Sequence, residues 1–248
     1  MTPDRARLAI SLVDLTDLAD DASAASTDDL CDRALTHATA AVCVWPDFVA
    51  RAAARLDGSP VSVATVVNFP SGDDRPFAVG VLTERAVADG ADDVDVVIPY
   101  RSLLAGDTAR AGAVLDVVRG ATAGRAIMKV ILETGELVDV DTIERAAGMA
   151  IERGADFVKT STGKSPVSAT PDAAAAMLRA VAQAGRPVGL KPSGGIRSVA
   201  DAEAYMSLAE PVIGELGPQN FRFGASGLLD ALLAAVDGEG DVVSDATY

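Results

Sequence analysis

Histidine and cysteine are nearly missing from this sequence: His37, Cys31 and Cys43 are the whole supply in 248 residues. Two unpatterned cysteines exclude a disulfide framework, and one histidine beside them cannot furnish a zinc site, so no metal is expected. Long apolar runs are absent too. The longest are strand-length and carry charges, the N-terminus shows no basic segment leading into an apolar one, and nothing approaches a membrane span. The expectation is a soluble, cytoplasmic protein without a membrane partner. Positive charge is scarce, with 21 Lys and Arg against 36 Asp and Glu and a formal net charge of −15. Phosphate backbones are bound by positive faces, so a nucleic-acid partner is excluded and any anionic ligand must be held by local donors. No Gly/Pro/Ser linker or composition break divides the chain, which points to one domain.

The acids are mostly Asp and lie at helix starts and in loops, as at Asp20-Asp21, Asp28-Asp29, Asp73-Asp74 and Asp92-Asp93. Helix capping and solvated faces account for them, and the same composition suits a protein adapted to high salt, where screening relieves self-repulsion.

Short Val/Ile-rich runs alternate with Ala-rich helical stretches from end to end. Strands are predicted at 10–15, 41–45, 61–68, 94–98, 126–133, 157–161, 188–191 and 221–224. Helical patterns fill 27–38, 47–56, 77–89, 102–120, 139–153, 171–184, 200–208 and 227–236. Eight strand-helix units predict an α/β fold, a single-domain TIM (β/α)8 barrel over 1–236, followed by a mobile polar tail, 237–248, that carries Tyr248. Such barrels build their active sites at the C-terminal ends of the strands. Asp14, Asn68, Asp95, Glu133, Lys159 and Lys191 all fall late in predicted strands or at their exits.

Lysine is scarce as well, and all four lysines sit in apolar runs or at their exits: Lys129, Lys159, Lys164 and Lys191. A chain that uses arginine for its ordinary cations and keeps lysine in such places needs an amine whose pKa can fall, which a guanidinium cannot supply. Within Phe157-Val158-Lys159, desolvation lowers the pKa, and a second ammonium on the next strand, Lys191, lowers it further. A neutral amine attacks carbonyls to give a Schiff base. The alternative is a buried lysine paired to a carboxylate such as Asp95 or Glu133. Asp95 can pair with Lys191 or move protons through a water. Lys129 and Glu133 lie four apart on one predicted strand, so they share a face and form either an ion-pair layer or part of the catalytic set. Cys43 reads as a small buried hydrophobe at the mouth, His37 as structural, and Trp45 as a packing residue or a wall of the pocket.

Three Gly-rich turns follow successive late strands: Ser161-Thr162-Gly163-Lys164, Ser193-Gly194-Gly195-Ile196-Arg197 and Gly224-Ala225-Ser226-Gly227. The last two occupy the loops after strands 7 and 8, where this fold commonly receives a phosphate on backbone N–H groups.

With these residues the chain resembles the deoxyribose-phosphate aldolases, class I Schiff-base aldolases. The resemblance runs through Asp14-Leu-Thr16, Val42-Cys-Val-Trp-Pro, Ala64-Thr-Val-Val-Asn-Phe-Pro, Gly90-Ala-Asp-Asp-Val-Asp-Val-Val, Lys129-Val-Ile-Leu-Glu-Thr-Gly-Glu-Leu, Gly154-Ala-Asp-Phe-Val-Lys-Thr-Ser-Thr-Gly, Lys191-Pro-Ser-Gly-Gly-Ile-Arg and Arg222-Phe-Gly-Ala-Ser. It implies that Lys159 forms the Schiff base, Lys191 depresses its pKa and Asp95 relays protons. Gly163, Lys164, Gly194, Gly195, Arg197, Gly224 and Ser226 would surround the phosphate. Asp14, Thr16, Cys43, Asn68, Lys129 and Tyr248 are auxiliary candidates. The implied reaction cleaves 2-deoxy-D-ribose 5-phosphate reversibly to acetaldehyde and D-glyceraldehyde 3-phosphate, in deoxyribonucleoside catabolism. It needs no cofactor, and a homo-oligomer, dimer or tetramer, is expected. Transaldolases or other phospho-sugar aldolases are the nearest alternatives, and a catalytically silent sugar-phosphate-binding barrel is the alternative from another class. The sequence departs from the family at Trp45, where tyrosine is usual, at Ser71, often histidine, and at Gly227, which leaves one phosphate donor fewer.

Overall fold

The computed structural model describes residues 1–238. A helix, α1 (Pro3–Ser11), precedes β1 (Val13–Asp17), α2 (Ala24–His37) and β2 (Ala41–Val44). A 3-10 turn (Pro46–Phe48) leads into α3 (Val49–Leu56), β3 (Ser62–Val67), α4 (Pro76–Ala88) and β4 (Asp93–Val97). Next come α5 (Tyr100–Leu104), α6 (Thr108–Thr122), β5 (Ile127–Ile131), α7 (Thr134–Leu137) and α8 (Val140–Glu152). The chain continues through β6 (Phe157–Lys159), α9 (Pro171–Ala182), β7 (Gly189–Lys191), α10 (Val199–Ile213), β8 (Phe223–Ala225) and α11 (Leu228–Val236).

All named strand pairs are parallel and run in the order β7-β6-β5-β4-β3-β2-β1-β8. Two isolated bridges, Leu190 to Phe221 and Ser193 to Gly224, bring β7 to β8 and close the ring into a TIM barrel. Each strand divides its side chains by alternation. Val13, Leu15, Val42, Val44, Val94 and Val96 pack outward into the core shared with the helices. The opposite faces of β2 and β3 put Ala41, Cys43, Ala64 and Val66 into a separate inner cluster with Leu18. The rest of the interior is mostly charged. Near its floor Phe157 fits because β7 has a glycine beside it: a Cβ at Gly189 would stand 2.3 Å from the ring.

Three boundaries differ from expectation for local reasons. The helix expected over 102–120 is two helices, broken at Gly106 (φ +83°), after which the Asp107 carboxylate caps α6 by accepting from Arg110 N at 3.0 Å. Strand β5 ends at Ile131, two residues early, because Glu133 adopts a left-handed conformation (φ 56°) and turns the chain into α7. Helix α1 takes in Ile10 and Ser11, the first two residues of the strand expected over 10–15: Ala6, Ala9 and Ile10 recur at helical spacing, and Thr2 caps the first turn. Tyr248 and most of the expected tail lie outside the described residues.

Candidate active site

The interior of the barrel holds four cations and three carboxylates in one network, all buried. Register pairs Lys159 directly with Lys191 across β6 and β7, and Asp95 with Lys129 across β4 and β5. Asp95 Oδ2 accepts from Lys159 Nζ at 2.9 Å and from Lys191 Nζ at 2.7 Å. Lys191 also donates to Asp14, which takes a second bond from Arg222 Nη1 at 2.6 Å. Lys129 Nζ lies 2.5 Å from Asp93 Oδ2, 3.2 Å from Asp95 Oδ1 and 3.7 Å from Asp14 Oδ2. Ionic contacts in so dry a place hold only as a connected set, since removing one partner of a buried pair costs about 3–5 kcal/mol. Gly224 makes room for it: a Cβ there would meet Ser193 Oγ at 2.4 Å and Lys191 Cε at 3.2 Å.

The electrostatics single out Lys159. Three carboxylates balance three of the four cations, and one charge is left over. Burial drives the Lys159 pKa down, Asp95 opposes this, and the Lys191 ammonium adds to it, with a net fall. Burial works against the Lys191 charge as well, but Asp14 and Asp95 overcome it and hold that ammonium well above the ordinary range. Burial would lift the Asp95 carboxyl, yet Lys129, Lys159 and Lys191 pull it well below its usual value. Asp14 is likewise lowered, with Lys191, Arg222 and Lys129 outweighing burial. Lys191 therefore keeps its proton and Lys159 gives up its own first. Lys159 is also the only lysine of the three with any exposure, 3% against 0% for Lys129 and Lys191.

Around this network Cys43 lies buried on β2, and burial pushes its thiol pKa up, leaving it protonated. Thr16 faces inward from β1 and bonds the Asp14 carbonyl at 2.9 Å. Asn68 does not join the network. Its side-chain amide donates to the Val97 carbonyl at 2.7 Å and accepts from Asp74 N at 2.9 Å, which ties the loop after β3 to the end of β4. The ion pair considered between Lys129 and Glu133 does not form, because the early end of β5 takes Glu133 off the strand face; it bonds Thr162 instead. Trp45 donates its indole N–H to the Ala19 carbonyl at 3.0 Å and stands edge-on to Phe69 with centroids 5.5 Å apart.

Beside the lysines a cavity of about 280 Å³ is lined by Gly163, Gly195, Arg197, Gly224, Ser226 and Gly227, from the loops after β6, β7 and β8. Gly194 backs it: a Cβ there would press on Ser168 at 2.7 Å and on Gly163 Cα at 3.1 Å. Lys164 does not line it. Its ammonium reaches 2.9 Å to the Leu18 carbonyl beyond β1. Sequence reasoning missed Ser165 and Ser168, which also line the cavity, because they sit in an irregular loop with no periodicity to mark them. It also gave no role to Asp93 and Arg222. Two-residue spacing could have found both, since Asp93 shares a face with Asp95, and Arg222 with Gly224.

Fold and site together define a TIM-barrel enzyme with a buried lysine and aspartate cluster beside a glycine-lined cavity. The profile of the DeoC/LacD family aldolase matches residues 8–232, and the chain belongs to that family: it is an aldolase, a carbon–carbon lyase. It is 48% identical over 238 residues to the deoxyribose-phosphate aldolase of Agrobacterium fabrum, covering 94% of this chain and 92% of the other. A crystal structure from Coccidioides immitis, provisionally assigned as a deoxyribose-phosphate aldolase, superposes with a TM-score of 0.84 at 32% identity, over 94% of this chain and 87% of that one. The aldolase QR15 matches with a TM-score of 0.81 at 25% identity, over 92% and 96% of the two chains.

Proposed function

We propose that this enzyme cleaves 2-deoxy-D-ribose 5-phosphate reversibly to acetaldehyde and D-glyceraldehyde 3-phosphate, a step of deoxyribonucleoside catabolism, through a Schiff base on Lys159. The observation that carries this reading is the register pair of Lys159 and Lys191 sharing one oxygen of Asp95, with a glycine-walled cavity next to it. The name of the Agrobacterium fabrum relative supports the substrate.

Neutral Lys159 attacks the aldehyde carbon, and loss of water gives an iminium. Asp95, backed by the Lys191 ammonium, takes the proton from the C3 hydroxyl directly or through a water. The C2–C3 bond then breaks, its electron pair moves to the iminium to form an enamine, and D-glyceraldehyde 3-phosphate leaves. Protonation at C2 and hydrolysis free acetaldehyde and the amine. No cofactor is needed for electron balance. The phosphate would lie in the cavity on the backbone of Gly163, Gly195 and Gly224 with the Ser226 hydroxyl and Arg197. A cytoplasmic setting suits two buried free cysteines, and a homo-oligomer suits the exposed Phe77 and Val81, four apart on α4. Among the described residues no helix is long and apolar enough to cross a membrane.

Borohydride reduction of the enzyme incubated with deoxyribose 5-phosphate, followed by peptide mass mapping, is expected to place the adduct on Lys159. Lys159→Arg, which keeps the charge but cannot form the imine, is expected to abolish turnover. An adduct on another lysine, or substantial activity in Lys159→Arg, would remove Lys159 from this role.

A further inference from the structure

Glu133 is a buried carboxylate, 1% exposed, that the aldol chemistry above does not use. Its backbone is left-handed, φ 56°, a conformation that costs a non-glycine residue on the order of 1 kcal/mol or more. Glycine would adopt it more easily, so the side chain has a reason to be there. Its two oxygens accept from Thr162 N at 3.2 Å and from Thr162 Oγ1 at 2.5 Å. The same Thr162 hydroxyl accepts from Lys164 N at 3.0 Å. The backbone on either side of Glu133 runs along the Lys159 strand exit, with Leu132 N donating to the Lys159 carbonyl at 2.9 Å and Thr134 N to the Thr160 carbonyl at 3.0 Å. Just beyond, a Cβ on Gly135 would stand 2.1 Å from the Val167 carbonyl oxygen, so α7 lies directly against the loop after β6. That loop supplies Gly163, Ser165, Pro166, Ser168 and Ala169 to the cavity wall.

We propose that Glu133 is a positioning residue that sets the shape of the oxyanion cavity, by fixing residues 160–170 to the exit of β5. It touches neither the reacting carbon nor the oxyanion; its hold on the cavity wall runs through Thr162 to Gly163 and through Ser165, whose side chain also bonds the Glu133 carboxylate. The geometry is charge-assisted: burial raises the Glu133 pKa, the Thr162 bonds favour its charged form, and a buried carboxylate bonded to a main-chain N–H and a hydroxyl holds a loop more tightly than a neutral acceptor. The inference rests on reading the cavity as a phosphate site.

Inorganic phosphate is the probe, titrated calorimetrically into the parent protein, Glu133→Ala, Glu133→Gln and Thr162→Val, with steady-state kinetics on deoxyribose 5-phosphate and on unphosphorylated deoxyribose. Glu133→Ala is expected to weaken phosphate binding about tenfold or more and to raise KM for the phosphorylated substrate by a similar factor, with kcat and the unphosphorylated reaction changing far less. Glu133→Gln, which still accepts from Thr162 N, should recover much of the loss, and Thr162→Val should lose several-fold. Thr162→Val also decides the matter should Glu133→Ala not fold. Phosphate affinity unchanged in the folded variants, equal losses on both substrates, or a Gln variant no better than Ala would overturn the proposal. If the parent protein fails to bind phosphate, the cavity reading falls and this inference with it; if only the variants behave like the parent, the aldolase reading stands and this inference alone fails.

Discussion

At the residue scale the lysines carry the argument, and scarcity made them visible. A strand-exit lysine in a chain that otherwise uses arginine needs a chemical reason, and Lys159 and Lys191 prove to be register partners. What went unassigned was the second row of the network: Asp93 and Arg222 stand in quoted motifs, yet nothing local in the sequence shows that their side chains reach Lys129 and Asp14. Asn68 shows the opposite failure, since its place at a strand exit suggested chemistry while its amide fastens two loops. A test of the network is Lys191→Leu. Removing that ammonium takes away a charge that lowers the Lys159 pKa and leaves Asp95 to pair with Lys159 more fully, so the Lys159 pKa must rise. The acid limb of the kcat/KM profile is expected to move to higher pH, with neutral-pH turnover down on the order of a hundredfold. Arg222 still pairs with Asp14 at 2.6 Å, so the fold should survive. An unshifted acid limb would sink the coupling.

At the element scale the eight strand-helix units were legible because apolar period and turn residues agreed along the whole chain. The terminal turns were not, and the reason is physical. Local side-chain caps and single left-handed residues, such as Asp107 and Glu133, decide where an element stops, and a hydrophobic pattern does not record them. Strand β7 offers the sharpest test of element packing. Gly189→Ala drives a methyl to 2.3 Å from the Phe157 ring, and overpacking of this kind costs about 1–3 kcal/mol. At about 2–4 °C per kcal/mol for a chain of this size, the melting temperature should fall by roughly 2–12 °C in a circular-dichroism melt. Adding Phe157→Leu should return most of the loss, and a Gly189→Ala melt equal to the parent's would show that the ring has room to move.

At the scale of the whole molecule the surplus of acid dominates. Many arginines already hold an acid at the surface, as Arg51 does Asp28 at 2.6 Å and Arg55 does Asp32 at 2.6 Å, yet the formal net charge stays at −15. Exposed pairs of this kind contribute only about 0–1 kcal/mol each, whereas the unpaired acids repel one another over a Debye length of about 30 Å at 0.01 M salt and about 3 Å at 1 M. Screening should therefore relieve more repulsion than it removes attraction. The melting temperature is expected to rise between those two sodium chloride concentrations, with activity kept at molar salt, and a flat or falling trend would show that local pairing already neutralises the surface.

The ring of strands also has a weakest joint. Seven neighbours are joined by ladders of three to five residue pairs, whereas β7 and β8 meet through two bridges. Amides there, such as Leu190 donating to Asn220 and Gly224 donating to Pro192, should be among the first of the barrel's to trade hydrogen for deuterium, since opening the seam disturbs little else. The two loops that flank this joint are two of the three that wall the glycine-lined cavity, so an anion seated there would fasten them together like a clasp. Exchange at Leu190 and Gly224 should slow when phosphate is added, more than at amides of β2 and β3 on the other side of the barrel.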